Sequence, residues 1–159
     1  MALINLDDFY GQSVTIEDQY LYYLPEHLWV QRCDDSVYKF GPTHAGVILV
    51  NGFKYLDYAV ETGEEVDVDD SILFVETFKA MVNLTTPVSG TVYALNDRLV
   101  GEGAKILEEK YYQEFMFALK CEGLDETAVF ITAQQYLEAL ETGDVDHCGA
   151  GARVMRRNR

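Results

Sequence analysis

The chain is poor in cysteine and in basic residues, and each shortage excludes a class of protein. Its three cysteines, Cys33, Cys121 and Cys148, lie far apart in a chain of 159 residues. They do not indicate a disulfide framework, so we expect a cytoplasmic protein. Only 12 residues are lysine or arginine against 27 aspartate or glutamate, which gives a formal net charge of -15. Such an acidic surface repels phosphate groups, so we expect no nucleic-acid partner and no membrane docking.

The long apolar segments of membrane and secreted proteins are also missing. No apolar run approaches the roughly 20 residues of a bilayer-spanning helix, and residues 1–12 lack the basic start and apolar stretch of a signal peptide. An apolar content of 48% instead indicates a globular chain. We divide it into an N-terminal extension (1–20), a main domain (21–142) and a flexible basic tail (143–159). The tail's arginines, which predict a solubilising end or alternatively a docking arm, are Arg153, Arg156, Arg157 and Arg159.

Residues suited to catalysis or metal binding are present, but their spacing does not form a site. Asp146, His147 and Cys148 are adjacent in a glycine-rich tail, which cannot hold a cysteine nucleophile and its base in a rigid geometry. One histidine and one cysteine are also short of a four-ligand zinc site. We therefore expect no catalytic residue and no metal site. Two classes of protein stay open as alternative functions: a self-contained enzyme, and an interaction module without a prosthetic group.

An acidic cluster surrounds the Thr62-Gly63 pair. Its members are Glu61, Glu64, Glu65, Asp67, Asp69 and Asp70. The cluster lacks the ligand order of a calcium loop, so we interpret it as a solvated turn. It is also suited to docking a positively charged face of a partner, because opposite charges speed encounter.

Strand patterns dominate the middle of the chain. Leu28–Cys33 and Val37–Phe40 flank a short polar turn, which is typical of a hairpin. Glu114–Lys120 is typical of a late strand. We interpret His27 as a structural imidazole at a strand start and Trp29 as part of the core, because no second base or nucleophile has a recognisable spacing to His27.

Helical patterns occur towards the two ends. Apolar residues in 1–20 recur at helical spacing, which predicts a short helix or an extension packed onto the body. Near the other end, Thr132 and Gln135 form a capping box, in which each side chain satisfies a backbone N–H of the other residue. Gly143 supplies the left-handed residue that ends such a helix.

The stretch Ser71–Val92 places a lysine between two apolar runs. Ile72–Val75 is rich in branched and aromatic side chains and is predicted to be a buried strand, and Met81–Leu84 begins a second run. A strongly hydrated ammonium does not belong in a core, so the simplest geometry puts Lys79 at the tip of a hairpin. The connection has no Asn-Gly or Asp-Gly, so we expect a loop longer than two residues.

Several stretches resemble a known family. Glu76–Met81 (ETFKAM), followed by Thr86–Gly90 (TPVSG), resembles the attachment hairpin of lipoyl carrier domains and, most closely, that of glycine cleavage system H proteins. Glu26–Val30 (EHLWV) resembles the E-H-x-W-V run near the start of H proteins, and Asn96–Leu99 (NDRL) matches their N-x-x-L run. The resemblance covers roughly Tyr22–Glu141.

The resemblance implies a mainly β fold, the lipoyl/biotinyl-type flattened barrel-sandwich hybrid with a C-terminal helix and a short N-terminal extension. It implies a non-catalytic carrier whose swinging arm is lipoate, joined by an amide bond to Lys79. Glu76, three residues earlier, is then either a residue that lipoate-attaching enzymes recognise or a solvated turn carboxylate. Biotin is less favoured, because biotin lysines typically have methionine on both sides, whereas Phe78 and Ala80 flank Lys79.

The resemblance also implies partners. In glycine cleavage, the arm takes an aminomethyl group from a pyridoxal-phosphate glycine decarboxylase, an aminomethyltransferase passes the carbon to tetrahydrofolate, and dihydrolipoyl dehydrogenase reoxidises the dithiol. H proteins typically have Y-G-E-G-W before the last main strand, whereas Tyr112–Met116 is YQEFM here. This departure supports an alternative, an H-protein-like lipoate-binding protein of sulfur oxidation that carries a sulfur-containing intermediate beside a heterodisulfide-reductase-like complex.

Overall fold

The structure, a computed structural model, describes residues 2–34 and 36–143. Within these residues the chain forms eleven strands and three α-helices. The strands are β1 (Leu3–Phe9), β2 (Gln12–Glu17), β3 (Leu21–Tyr23), β4 (Leu28–Arg32), β5 (Val37–Pro42), β6 (Phe53–Tyr58), β7 (Glu65–Val66), β8 (Ser71–Thr77), β9 (Met81–Thr85), β10 (Gly90–Leu95) and β11 (Phe117–Lys120). The helices are α1 (His44–Val50), α2 (Glu126–Val129) and α3 (Ala133–Thr142), and 3-10 turns cover Leu24–Glu26, Asp97–Leu99 and Glu102–Glu108.

The strands form three antiparallel sheets. The largest has the order β3-β4-β5-β11-β10-β7, the second has the order β6-β8-β9, and β1 pairs with β2 alone. The buried faces of the two larger sheets contribute to one apolar cluster, which includes Phe40 and Phe117 from one sheet and Leu56, Ile72 and Leu73 from the other. The mainly β prediction is confirmed, and burial of these side chains supplies most of the driving force for the fold.

Residues 3–17 form a hairpin, so the helix predicted within 1–20 is wrong, whereas the alternative, an extension packed onto the body, agrees with the contacts of this hairpin with α1 and α3. Phe9 pairs with Gln12 across a two-residue turn, in which Tyr10 and Gly11 have positive φ values of 52° and 78°. That combination matches the twist of antiparallel strands and favours a hairpin. Val14 and Ile16 alternate along β2 and are fully buried in a second apolar cluster. The apolar spacing misled the prediction because a short run can fit both the helical and the strand period.

The second cluster is rich in aromatic side chains. Trp29 stacks on Tyr20 with ring centroids 4.8 Å apart, and its Nε1 donates to the Tyr111 carbonyl oxygen at 2.6 Å. Gly41 lies directly beneath the indole, where a Cβ would collide with the ring. Trp29 is therefore a core residue, as predicted, and its ring requires a glycine on the neighbouring strand β5.

The last part of the described chain follows the predicted pattern in part. The Thr132 hydroxyl accepts from Gln135 N, Gln135 Oε1 accepts from Thr132 N, and Gly143 ends α3 with a φ of 79°. The predicted strand over Glu114–Lys120 is too long, because Glu114 N donates to the Lys110 carbonyl in a turn and β11 begins at Phe117. None of the helices within residues 2–34 and 36–143 is long and apolar enough to cross a bilayer. Residues 144–159 of the predicted tail lie outside the described part of the chain.

Candidate functional site

Lys79 lies in the turn that joins β8 to β9, and its side chain is exposed. The last residues paired across the two strands are Glu76 and Met81, so four residues separate them. Thr77 N donates to the Ala80 carbonyl oxygen at 2.8 Å and closes this connection. The loop is therefore longer than two residues, as the missing Asn-Gly predicts.

The Thr77 hydroxyl holds the turn in place. Its Oγ1 accepts from Lys79 N at 3.1 Å and from Ala80 N at 3.0 Å, and it donates to the Ala80 carbonyl oxygen at 2.9 Å. Threonine hydroxyls commonly satisfy backbone groups two or three residues on in this way. The backbone that carries Lys79 is consequently fixed, while the lysine side chain extends from it into solvent.

Glu76 and Phe78 contact one common side chain beside the turn. Lys54 Nζ lies 3.2 Å from Glu76 Oε2 and 5.6 Å from the centre of the Phe78 ring. Lys54 occupies an irregularity in the pairing of β6 with β8, between Phe53 and Tyr55. Both charged side chains are 45% exposed, so the ion pair stabilises the fold by less than about 1 kcal/mol.

From Leu73 onwards, strand β8 is buried on one face only, whereas the preceding Ile72 is also buried, next to an irregularity in the pairing with β9. Ile72, Leu73 and Val75 are buried and Phe74 is 40% exposed, so the predicted buried strand over Ile72–Val75 is confirmed except at Phe74. A sheet with one solvated face alternates apolar and exposed positions, and Phe74 occupies an exposed position. Phe78 is more exposed still, at 63%, directly beside Lys79.

A small apolar cavity of about 60 Å³ lies on the inner side of the hairpin. Its lining includes Leu28, Val75, Thr77, Val82, Leu84 and Met116. Four of these belong to β8 and β9, the strands that carry the Lys79 turn. The turn therefore has solvent on its outer side and an apolar space behind it.

His27 is a buried structural residue, as predicted. Its Nδ1 lies 2.8 Å from the Tyr136 hydroxyl, which is also 2.7 Å from Thr43 Oγ1. Burial lowers the pKa of His27 from 6.5 to about 4, because the interior disfavours the charged ring. The imidazole is therefore neutral near pH 7, and its bond to Tyr136 connects the residue before β4 to α3.

The acidic cluster caps its own turns and does not form a metal centre. Asp67 N donates to Asp70 Oδ2 at 2.8 Å, and Glu61 N donates to Glu64 Oε1 at 3.2 Å. In residues 2–34 and 36–143, no group of three or more His, Cys, Asp or Glu side chains is arranged to hold a metal ion. Asp146, His147 and Cys148 lie outside this range.

A sequence model of the family described as glycine cleavage H-protein matches residues 21–143, which is most of the chain. The chain belongs to this family. Glycine cleavage H proteins are non-catalytic lipoyl carriers, and they carry covalently attached lipoate on a lysine. The chain is thus a lipoyl carrier and not an enzyme, and the assignment of the lysine to Lys79 stays a prediction.

Curated relatives support the family along most of their own length. The chain is 32% identical over 123 residues to the glycine cleavage system H protein of Kocuria rhizophila, covering 76% of this chain and 94% of that protein. It is 32% identical over 123 residues to a probable glycine cleavage system H protein of Pyrococcus furiosus, covering 77% and 90%. Glycine cleavage system H protein 4 of Aquifex aeolicus is 29% identical over 136 residues, covering 86% and 78%.

A solved structure has the same fold. The crystal structure of a glycine cleavage system H protein from Mycobacterium marinum superposes with a TM-score of 0.66, covering 80% of this chain and 99% of that chain. The two sequences are 22% identical, so the likeness bears on the fold alone. It agrees with the mainly β architecture and the C-terminal helix predicted from the sequence.

The segment that departs from the H-protein pattern is built into the fold. Glu114 is buried, accepts from Asn96 Nδ2 at 3.0 Å and lies 3.0 Å from Arg98 Nη1. Phe115 packs under Lys39 Nζ, 5.1 Å from the ring centre. Glu114 therefore anchors the Asn96 turn, which explains why a glutamate suits this position whatever flanks it.

Two residues near Lys79 were missed from the sequence. Thr77 could have been found, because a threonine two residues before an exposed turn position is a recognised hydroxyl-turn signal. Lys54 could not, because it precedes Glu76 by 22 positions and reaches it only through the register of β6 against β8. The structure brings Lys54, Glu76 and Phe78 together beside Lys79.

Proposed function

We propose that this chain is the H-protein carrier of a glycine cleavage system and that its lipoyl arm is attached to Lys79. The observation that carries the proposal is the turn held by Thr77, which exposes one lysine at the end of a rigid hairpin. A carrier needs a fixed base for its arm and free movement beyond that base. The family match supports the lipoyl chemistry, and the geometry of the turn supports Lys79 as the attachment point.

Lys79 fits the attachment role better than the other lysines. Four of those five are engaged: Lys54 with Glu76, Lys105 with Glu102, Lys120 with Glu122, and Lys39 with the Phe115 ring. The fifth, Lys110, also forms no ion pair among the described residues, but it follows the 3-10 turn Glu102–Glu108 and does not lie at the tip of a hairpin. Among residues 2–34 and 36–143, no carboxylate lies within 4 Å of Lys79 Nζ. Amide formation removes the lysine's charge, so it costs least where that charge has no partner.

The chain's own residues position the arm. When bound, lipoate supplies a dithiolane whose disulfide and dithiol forms carry the reaction chemistry. Thr77 fixes the backbone at Lys79, and the pairing of β8 with β9 keeps the turn rigid relative to the core. Glu76 contributes a carboxylate that we propose lipoate-attaching enzymes recognise beside the lysine.

The partners follow from the proposed system. A pyridoxal-phosphate glycine decarboxylase, an aminomethyltransferase and dihydrolipoyl dehydrogenase would each meet the arm in turn, with an aminomethyl group as the cargo. We also propose a cytoplasmic location, because the dispersed cysteines do not indicate a disulfide framework. Each partner binds reversibly, so the carrier's contacts with each of them are expected to be small.

The attachment site is tested by intact mass. The full chain is incubated with lipoate, ATP and a lipoate–protein ligase, beside the variants Lys79→Arg and Lys105→Arg. Lys105 is the control, because it is an exposed lysine on the 3-10 turn Glu102–Glu108. We expect a mass increase of one lipoyl group in the wild type and in Lys105→Arg, and none in Lys79→Arg. An unmodified wild type, or a modified Lys79→Arg, contradicts the proposal.

A sulfur-oxidation carrier is the second candidate, and the Tyr112–Met116 segment is the observation that favours it. Both glycines and the tryptophan of the usual H-protein motif are replaced there. The lipoylated chain is added to glycine decarboxylase with glycine and labelled bicarbonate, and an H protein of established activity serves as the control. Exchange supports glycine cleavage, whereas no exchange beside an active control supports the second candidate.

A further inference from the structure

Exposed apolar side chains are concentrated on the outer face of the three-stranded sheet β6-β8-β9. Of nine large apolar residues exposed within residues 2–34 and 36–143, four belong to this sheet and its turn. They are Tyr55, Phe74, Phe78 and Met81, with exposures of 49%, 40%, 63% and 61%. Single exposed apolar residues are ordinary, but a contiguous group marks an interaction surface.

Strand register places these residues side by side. Tyr55 pairs with Glu76, and Glu76 pairs with Met81, so the three lie in one row across the sheet. Phe74 lies in the neighbouring row, between Asp57 and Asn83. Residues opposite each other in an antiparallel pair project to the same face. We call the two rows, Tyr55-Glu76-Met81 and Asp57-Phe74-Asn83, together with Phe78, the outer face.

Charge on the outer face and beyond it is mainly negative. Asp57 and Glu76 lie within the rows, and Lys54 offsets only one of them. The exposed acidic cluster over 61–70 follows β6 and leads directly into β8, at the end of the sheet opposite the Lys79 turn. A partner that covers this face therefore needs apolar side chains at its centre and basic side chains towards the acidic end.

How closely an enzyme must approach Lys79 indicates which partner covers the outer face. An enzyme that uses the finished arm meets its far end and can stay away from the hairpin. An enzyme that attaches lipoate must bring an acyl carbon to Lys79 Nζ itself, so it must approach within the length of one lysine side chain. Phe78 adjoins Lys79 in the chain, and Met81 lies two residues beyond it. Such an enzyme cannot reach Nζ without also meeting this end of the outer face.

We propose that the outer face is the docking surface for the lipoate-attaching enzyme, with Phe74, Phe78 and Met81 as apolar anchors and Asp57 attracting basic side chains of that enzyme. The inference rests on the proposed attachment at Lys79 and deepens it. Docking brings the Lys79 amine, which attacks in its unprotonated form, to a lipoyl-adenylate that forms from lipoate and ATP with release of pyrophosphate. The new C–N bond forms as the acyl C–O bond to AMP breaks, AMP leaves, and the lysine proton passes to solvent.

The apolar part of the proposed docking surface is tested by substituting exposed apolar residues on and off the outer face. Phe74→Ser and Met81→Ser change the outer face, and Tyr93→Ser removes a 54% exposed ring from β10 in the other sheet. With a lipoate–protein ligase, lipoate and ATP, the initial rate is followed by intact mass against carrier concentration. We expect kcat/KM to fall about fivefold to tenfold in the first two variants, through KM, and to stay unchanged in Tyr93→Ser.

The charged part is tested by ionic strength. Asp57→Asn removes a carboxylate from the outer face, and Glu138→Gln removes an exposed carboxylate from α3. We expect the wild-type kcat/KM to fall with added salt, and that dependence to weaken in Asp57→Asn but not in Glu138→Gln. Thermal unfolding of every variant shows whether it is folded at the assay temperature.

The outcomes separate the two proposals. If the wild type is lipoylated and the kcat/KM values of Phe74→Ser and Met81→Ser equal that of Tyr93→Ser, the docking surface is overturned. Attachment at Lys79 is then still supported. A wild type that is not lipoylated overturns both. If a folded Phe74→Ser loses kcat without a change in KM, the ring acts on the bound complex rather than in docking, which also contradicts the inference.

Discussion

The Lys79 turn and the buried cluster around Tyr136 are each organised by one hydroxyl group, and they differ in how far that group reaches along the chain. Within the described residues, the Thr77 hydroxyl bonds only to backbone atoms two and three residues away. Tyr136 meets His27 and Thr43, which are 109 and 93 residues away. Local bonds shape one turn, whereas long-range bonds connect elements that are otherwise independent.

The two regions serve different purposes: the buried cluster around Tyr136 stabilises the fold, and the Lys79 turn is the proposed functional site. The most recognisable residues of the H-protein pattern, His27 and Trp29, are buried and structural. The residue we propose to carry the arm is an ordinary exposed lysine, distinguished by its turn. We therefore expect changes in the Tyr136 cluster to alter unfolding but not lipoylation, and changes at the Lys79 turn to alter lipoylation more than unfolding.

The largest effect is expected from the charge state of His27. The fold keeps this ring neutral, with a pKa of about 4 against 6.5 in the unfolded chain, so the unfolded chain binds the proton first as pH falls. Stability is then fully present above pH 6.5 and is lost as pH falls from 6.5 to about 4. The loss over this window is about 3 kcal/mol. Urea unfolding across the window measures it.

His27→Asn is the control for that measurement. His27 has a positive φ of 53°, which asparagine tolerates better than most residues, and an amide does not titrate in this range. The carboxylates contribute equally to both chains, so the difference between the two pH profiles isolates the histidine. Parallel profiles contradict the assignment, and lipoylation near pH 7 should be the same for both.

The next largest effect is expected from Tyr136→Phe. The variant keeps the ring, which stacks on Tyr22, but leaves His27 Nδ1 and Thr43 Oγ1 without the hydroxyl. Buried polar groups that lose their partner cost about 2 kcal/mol in free energy of unfolding. Tyr93→Phe removes an exposed hydroxyl instead and should change nothing. A loss below about 0.5 kcal/mol would mean that water or rearrangement replaces the bond.

Thr77→Val is expected to lower stability less than Tyr136→Phe does, but to slow the attachment of lipoate to Lys79 substantially. The substitution removes the hydroxyl that bonds Lys79 N and Ala80 N, at a cost of about 1 kcal/mol. Because the lysine's base is then free to move, we expect kcat/KM for lipoylation to fall about tenfold. Thr77→Ser keeps the hydroxyl and should recover most of that rate. An unchanged kcat/KM for lipoylation in Thr77→Val would show that lipoylation does not need a fixed turn geometry.

The sequence predicted what depends on neighbouring residues and missed what depends on register. The capping box at Thr132, the hairpin of β4 with β5 and the lysine turn follow from residues a few positions apart. The N-terminal hairpin was missed because its burial against α1 and α3 involves elements far along the chain. Short apolar runs carry no information about which partner covers them.

The candidate site divides in the same way. Lys79 and Glu76 were found from a local pattern, and Thr77 lay within it unrecognised. Lys54 and the apolar residues of the outer face become neighbours only when β6 pairs with β8 and β8 with β9. Cross-strand neighbours depend on register, and a shift by one residue would turn Phe74 inward. The sequence alone therefore could not distinguish a buried Phe74 from an exposed one.

The smallest effect is expected from Lys54→Met, which removes the ammonium that pairs with Glu76 and lies near Phe78. Because this pair is half exposed, stability should change by less than about 0.5 kcal/mol in urea unfolding. Glu76→Gln removes the carboxylate instead, and it should raise the KM for lipoylation if attaching enzymes recognise Glu76. Lys54→Met keeps the carboxylate and should leave KM within about twofold. A loss of stability above about 1 kcal/mol in Lys54→Met would mean that a contact across strands, and not the Thr77 hydroxyl alone, fixes the turn.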